Sequence, residues 1–157
     1  MKQQSISQMI GLRASPGLAR DRLFLGLLVA GVPVSLGMAW LGLAFPPVGD
    51  RLLIYLSVLL WYPVVEELAF RGVVQGVASQ YFQARAANWV ISPANLIATV
   101  AFVLWHLLYL WTPLALTLAV PALIYGFFRD RYQSLLPPLI LHMSYNVFAI
   151  LALRFIV

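Results

Sequence analysis

From Leu23 to Phe45 the sequence carries no charged residue. About 20 apolar residues suffice to cross a bilayer as a helix. In lipid the backbone must satisfy its own hydrogen bonds, which leaves only α-helices and closed barrels. Comparable apolar runs recur at 94–111, 113–128 and 135–157, and a longer one begins near Arg51 and runs to about Gln80. The chain is 62% hydrophobic and 10% charged, against about 25% charged in soluble domains. The expected fold is all-α, a polytopic membrane helical bundle of about five spans in one domain, 1–157.

The expected organisation is a mixed polar segment at 1–22, a retained signal-anchor span at 23–45 and a core at 52–157. Ser15-Pro16-Gly17 signals a turn, and Ile6, Met9, Ile10 and Leu12 fit either a segment on the membrane surface or a disordered one. Pro46 to Asp50 reads as a tight loop, residues 82–93 as a connection and Arg129-Asp130-Arg131 as a charged loop. Pro63 predicts a kink in the second helix. The basic residues Lys2, Arg13, Arg20, Arg22, Arg85, Arg129 and Arg131 fall on one side of this topology, Arg51 and Arg154 on the other. That bias predicts a cytoplasmic N-terminus and an outward C-terminus. It accounts for the net charge of +5 without nucleic acid, since no aromatic-basic cluster suited to base stacking is present. With no cysteine there is no disulfide, thiolate metal site or cysteine nucleophile.

Charge inside a membrane span costs at least a few kcal/mol, so intramembrane ionisable residues point to function. The polar groups left inside the spans are Glu66, Glu67, Arg71, His106, His142 and Asn146, from the second, third and fifth helices. Glu67 and Arg71 are four apart, as are His142 and Asn146, so each pair shares one helical face. Glu66 and Glu67 differ by about 100°, which leaves Glu67 to pair with Arg71 and Glu66 free for chemistry. The fourth span, at about 24 Å, is shorter than the ~30 Å hydrocarbon core. If the hairpin of the third and fourth spans therefore stops below the outer surface, His106, His142 and Glu66 lie roughly 15, 12 and 8 Å above the inner face. A shared site then becomes feasible.

A carboxylate and a histidine in a dry cavity suit water activation, and a second histidine with an amide one turn away suits an oxyanion. Hydrolysis of an amide or ester needs all of these. Each part also has a plainer reading: a packing ion pair, a histidine bonded to a backbone carbonyl, or interhelical hydrogen-bond glue. Glu66, His106 and His142 have the composition of a two-histidine, one-carboxylate zinc site. No H-E-x-x-H, intramembrane aspartate pair or glycine-framed serine occurs.

The order E-E-x-x-x-R at Glu66, Glu67 and Arg71, F-x-x-x-H at Phe102 and His106, and H-x-x-x-N at His142 and Asn146 resembles the CPBP family of intramembrane proteases, also called the CAAX-protease or bacteriocin-processing family. The resemblance covers roughly residues 52–157. It implies a metal-free, glutamate-type endopeptidase of the prokaryotic plasma membrane, with Glu66 as general base, His106 helping to position the water, and His142 with Asn146 on the oxyanion side. Glu67 and Arg71 would be supporting residues. The implied partners are the bilayer and a membrane-anchored protein or peptide substrate, with C-terminal sorting or CAAX-like signals as one class. Two other functions use the same residues: a non-catalytic peptide-binding or immunity protein on this scaffold, and a small transporter or proton pathway.

Overall fold

The computed structural model describes residues 6–44, 51–82 and 90–156. Six helices make up the described chain: α1 (Ile6–Ile10), α2 (Arg22–Trp40), α3 (Leu52–Phe82), α4 (Pro93–Leu110), α5 (Ala119–Tyr132) and α6 (Leu136–Ile156). No strand occurs among the described residues. Helices α2, α3, α4 and α6 are each long and apolar enough to cross a membrane, so the protein is an integral membrane protein. The expected short fourth span is a 3-10 turn, Pro113–Leu118, leading into the 14-residue α5. The loop expected at 46–50 and most of the connection at 82–93 lie outside the described residues.

Polar and apolar residues are distributed inversely to a soluble protein. Glu67, Arg71, Gln75 and Asn95 are each at most 1% exposed, whereas Leu53, Leu104 and Leu108 are more than half exposed. Helices α3 to α6 enclose the polar residues, and α2 packs along the outer side of α6. Gly31 allows that approach: a Cβ there would lie 2.6 Å from the Tyr145 ring, as small residues do at membrane helix interfaces. Phe24 of α2 meets Phe128 of α5 edge to face at 5.3 Å, beside Leu18, Tyr125 and Leu141.

Helix α3 continues through Pro63. It contains two π-type segments, Ser57–Trp61 and Glu67–Val74, in which N–H groups reach back five residues. The proline falls just after the first of these, at a point where the ladder is already shifted. Helix α4 begins at Ser92, whose Oγ accepts the Asn95 N–H at 3.0 Å, with Pro93 in the first turn, where it withholds no intrahelical bond. It ends at Trp111 with φ 49°. There Thr112 and Pro113 reverse the chain.

Two expectations change. Arg129, Asp130 and Arg131 do not form a loop but the last turn of α5, where basic side chains complement the negative end of the helix dipole. Each has a partner: Arg129 donates to the Met9 carbonyl at 2.6 Å, Asp130 accepts from Gln75 at 2.7 Å and Ser92 at 2.6 Å, and Arg131 donates to Asp21 at 2.9 Å. These partners, all distant in sequence, outweigh the polarity that marked the triplet as a loop. The N-terminal segment is the second case. Met9 and Ile10 lie against α3 in an ordered segment, which sets aside the disordered alternative. Gly76 admits the Met9 carbonyl and Gly72 the Ile10 side chain. The Leu135 N–H donates to Gly11 at 2.9 Å and the Ser134 hydroxyl to Arg13 at 2.6 Å. Leu12 remains exposed.

Asp21 joins the start of α2 to the end of α5. It caps α2 through the Leu23 and Phe24 N–H groups at 2.9 and 3.3 Å and accepts from Arg131 and from the Tyr132 hydroxyl at 2.7 Å. The Tyr132 hydrogen bond, ahead of the capping amides and the Arg131 charge, holds its carboxyl below the usual range. A depressed folded-state value stabilises the fold above the ordinary aspartate range and loses that contribution as pH falls through the depressed value. Asp21→Asn should therefore lower the unfolding midpoint in detergent micelles at pH 7, and the gap from wild type should shrink as the pH is taken below 4.

Candidate active site

The site forms where α3, α4 and α6 meet against α5. Glu66 and Glu67 lie at the entry of the second π segment, and both carboxylates face the His142 ring of α6. Glu67 Oε1 is 2.8 Å from His142 Nδ1, and Glu66 Oε2 is 3.6 Å from His142 Nε2. Adjacent helical residues were expected to face apart. An imidazole spans the separation, because its two nitrogens lie on opposite sides of the ring.

Helix α4 contributes His106. Its Nδ1 lies 2.9 Å from the Phe102 carbonyl and its Nε2 lies 3.8 Å from Glu66 Oε1. A carbonyl only accepts, so Nδ1 carries the hydrogen, and neutral His106 turns the lone pair of Nε2 toward Glu66. The plain reading of a histidine bonded to a backbone carbonyl is thus half of what the structure contains; the other nitrogen faces the carboxylate. Separations of 3.6 and 3.8 Å are too long for direct hydrogen bonds and suit a bridging water.

Exposure separates the two glutamates. The Glu66 side chain is 19% exposed and His106 14%, while Glu67 is 1% and Arg71 0% exposed. Arg71 NH1 donates to Glu67 Oε1 at 3.1 Å and NH2 donates to the Ala122 carbonyl of α5 at 3.1 Å. The guanidinium carbon lies 4.5 Å from the centre of the Phe102 ring and 5.2 Å from that of Tyr125. Aromatic faces favour a desolvated cation. The Tyr125 ring stacks on His142 at 5.0 Å, and Phe102 lies 4.3 Å from His106. Phe102 therefore packs against both the arginine and the histidine.

Asn146 does not extend this cluster. Its Nδ2 donates 2.9 Å to the Val58 carbonyl of α3. The residues that sequence reasoning missed are Tyr125, Gln75 and Asn95. Gln75 continues the four-residue spacing of Glu67 and Arg71, which was the available signal. It donates to the Gly126 carbonyl at 2.9 Å, and Asn95 donates to Leu123 at 3.0 Å. Nothing in the pattern of α5 marked Tyr125 apart from other interfacial aromatics. Among the described residues no group of three or more His, Cys, Asp or Glu is arranged to hold a metal ion.

Removing one partner of a buried ion pair leaves the other uncompensated, at about 3–5 kcal/mol. Arg71→Met should therefore cost at least that much stability. Arg71→Met combined with Glu67→Gln should recover a substantial part of the loss, as measured by thermal unfolding in detergent. A double-variant loss equal to the sum of the losses in Arg71→Met and Glu67→Gln alone would show that the pair is not coupled.

The comparisons with known proteins follow the same segment. The family model described as type II CAAX prenyl endopeptidase Rce1-like matches residues 48–148, which include Glu66, Glu67, Arg71, His106, His142 and Asn146. No curated protein and no solved structure matches the chain. The matched segment covers well over half of the chain and contains all three motifs, so this protein belongs to the Rce1-like family of type II CAAX prenyl endopeptidases, a family of proteases.

Proposed function

We propose that this protein is a glutamate-type intramembrane endopeptidase, with Glu66 as general base. The observation that carries the reading is the contrast between the two glutamates. Glu67 is buried and occupied by Arg71 and His142, whereas Glu66 is accessible and faces Nε2 of both histidines at water-bridging distance.

In this mechanism a water held between Glu66 and His106 Nε2 gives a proton to Glu66 as its oxygen attacks the scissile carbonyl. His106 accepts a hydrogen bond from the remaining O–H and fixes the direction of attack. His142 in its imidazolium form donates Nδ1–H to Glu67 and presents Nε2–H to the developing oxyanion. Glu66 then returns its proton to the amide nitrogen, the C–N bond breaks, and the new carboxylic acid and amine leave. Arg71 holds the Glu67 carboxylate in place, and Glu67 keeps the imidazole oriented. No step requires a metal ion or other cofactor.

The proposed substrate is a membrane-anchored protein or peptide, cut near a C-terminal sorting or CAAX-like signal. The proposed setting is a prokaryotic plasma membrane with the N-terminus cytoplasmic. The charge distribution supports that orientation. Asp21 brings Arg20 and Arg22 to the same end of the bundle as Arg129 and Arg131. Arg154 bonds the Tyr55 hydroxyl at the opposite end, near Arg51.

Glu66→Gln should reduce cleavage of a processed membrane protein by about 10²–10⁴-fold, the usual contribution of a general base, while insertion and folding persist. His106→Ala should reduce it similarly. Membrane proteomics of cells carrying wild type or Glu66→Gln should reveal the substrate as a protein that retains a terminal segment. Normal processing by Glu66→Gln would sink the mechanism. Wild-type activity should survive dialysis against chelator; loss of activity with restoration by zinc would favour a metal site at Glu66, His106 and His142.

A further inference from the structure

One backbone carbonyl in α3 has lost both of its possible helical donors. In an α-helix the Val58 carbonyl would accept from the N–H of residue 62. The Tyr62 N–H instead reaches back five residues to Ser57. In that wider register the next donor to Val58 would come from residue 63, which is proline and has no N–H. The Val58 carbonyl is thus orphaned twice, by the π turn and by the proline after it. In lipid an unsatisfied backbone group is costly, and helix-breaking residues are tolerated where a neighbouring helix supplies the missing partner. The Asn146 Nδ2 supplies it, at 2.9 Å.

We infer that Asn146 is a positioning residue that stands in for the missing proline N–H, and that the Asn146–Val58 bond sets the spacing of α6 against α3 at the catalytic centre. Asn146 is one turn beyond His142 on α6, and Val58 lies about two turns before Glu66 on α3. The bond therefore fixes α6 on α3 beside the gap between His142 Nε2 and Glu66 Oε2, 3.6 Å across. This role runs through the helix and is separate from any direct donation by Asn146 to an oxyanion.

The two roles make opposite predictions about Pro63→Ala. Alanine restores an N–H, so the Val58 carbonyl regains an intrahelical donor whichever register the turn adopts. The positioning role predicts that Asn146→Ala lowers the unfolding midpoint of the full chain in micelles by roughly 3–8 °C, and that the same substitution in a Pro63→Ala background lowers it by less than half as much. It also predicts that Asn146→Ala reduces kcat at least tenfold with little change in KM, and that Asn146→Ala with Pro63→Ala regains most of that loss. Additive losses of stability, or a double variant as inactive as Asn146→Ala alone, would overturn the inference. The activity arm rests on the endopeptidase reading, and the unfolding arm does not. If wild type cleaves nothing, the stability cycle alone still decides between coupled and independent roles.

Discussion

The pairing of Arg71 with Glu67 is the interaction on which the rest of this structure depends. Arg71 heads the fully buried side chains when these are ranked by volume, and nothing apolar could neutralise it. Taking two ions out of water costs several kcal/mol each, and their attraction offsets that only with further hydrogen bonds. The bundle provides two, at the Ala122 carbonyl and the His142 ring, and sets the faces of Phe102 and Tyr125 against the guanidinium. Each of those groups belongs to a different helix from the pair itself. Satisfying one guanidinium and one carboxylate therefore fixes the mutual placement of α3, α4, α5 and α6.

The same logic extends down α3. Glu67, Arg71 and Gln75 follow at intervals of four along its buried face, and Arg71 and Gln75 each donate to a carbonyl of α5. Asn95 donates from α4 to a third. Helical carbonyls have a spare lone pair, and α5 lets donors approach because Gly126 carries no side chain where Asn95 packs. Lipid gives apolar helices little reason to associate, so such hydrogen bonds and close small-residue contacts carry much of the specificity. The short α5 thus serves as the acceptor strip for the helices around it.

The resulting site divides labour between neighbouring residues by depth. Glu67 is sealed in with its counter-ion. Glu66, one position earlier, keeps partial exposure. His142 lies between them and connects the buried charge to the accessible one. His106, anchored through Nδ1 by its own helix backbone, faces the same carboxylate from the other side. The helical class, the spans of α2, α3, α4 and α6, and the pairing of Glu67 with Arg71 were legible in the sequence. Apolar length and a four-residue spacing are local properties. The ring of His142 between both glutamates was not legible, because a rule of about 100° per residue describes backbone directions and not the reach of a bridging side chain. Nor was the last turn of α5. Arg129, Asp130 and Arg131 look like a loop until Met9, Gln75, Ser92 and Asp21 arrive from distant parts of the chain.

By itself the sequence determined that this chain lies in a membrane as helices, because apolar runs in lipid leave the backbone almost no other choice. It also determined which six polar residues merit explanation, because charge and hydrogen-bonding groups in apolar spans are expensive. Tertiary structure alone decided which partner each of them meets. Burial withdrew Glu67 and left Glu66 accessible. Packing turned one imidazole toward two carboxylates. A proline without an N–H, in a turn whose ladder had already slipped by one residue, gave the amide of Asn146 a partner that its spacing from His142 could not have revealed. The physical reason is the same throughout: in a low-dielectric interior a polar group is governed by the partner it finds, and that partner comes from another helix.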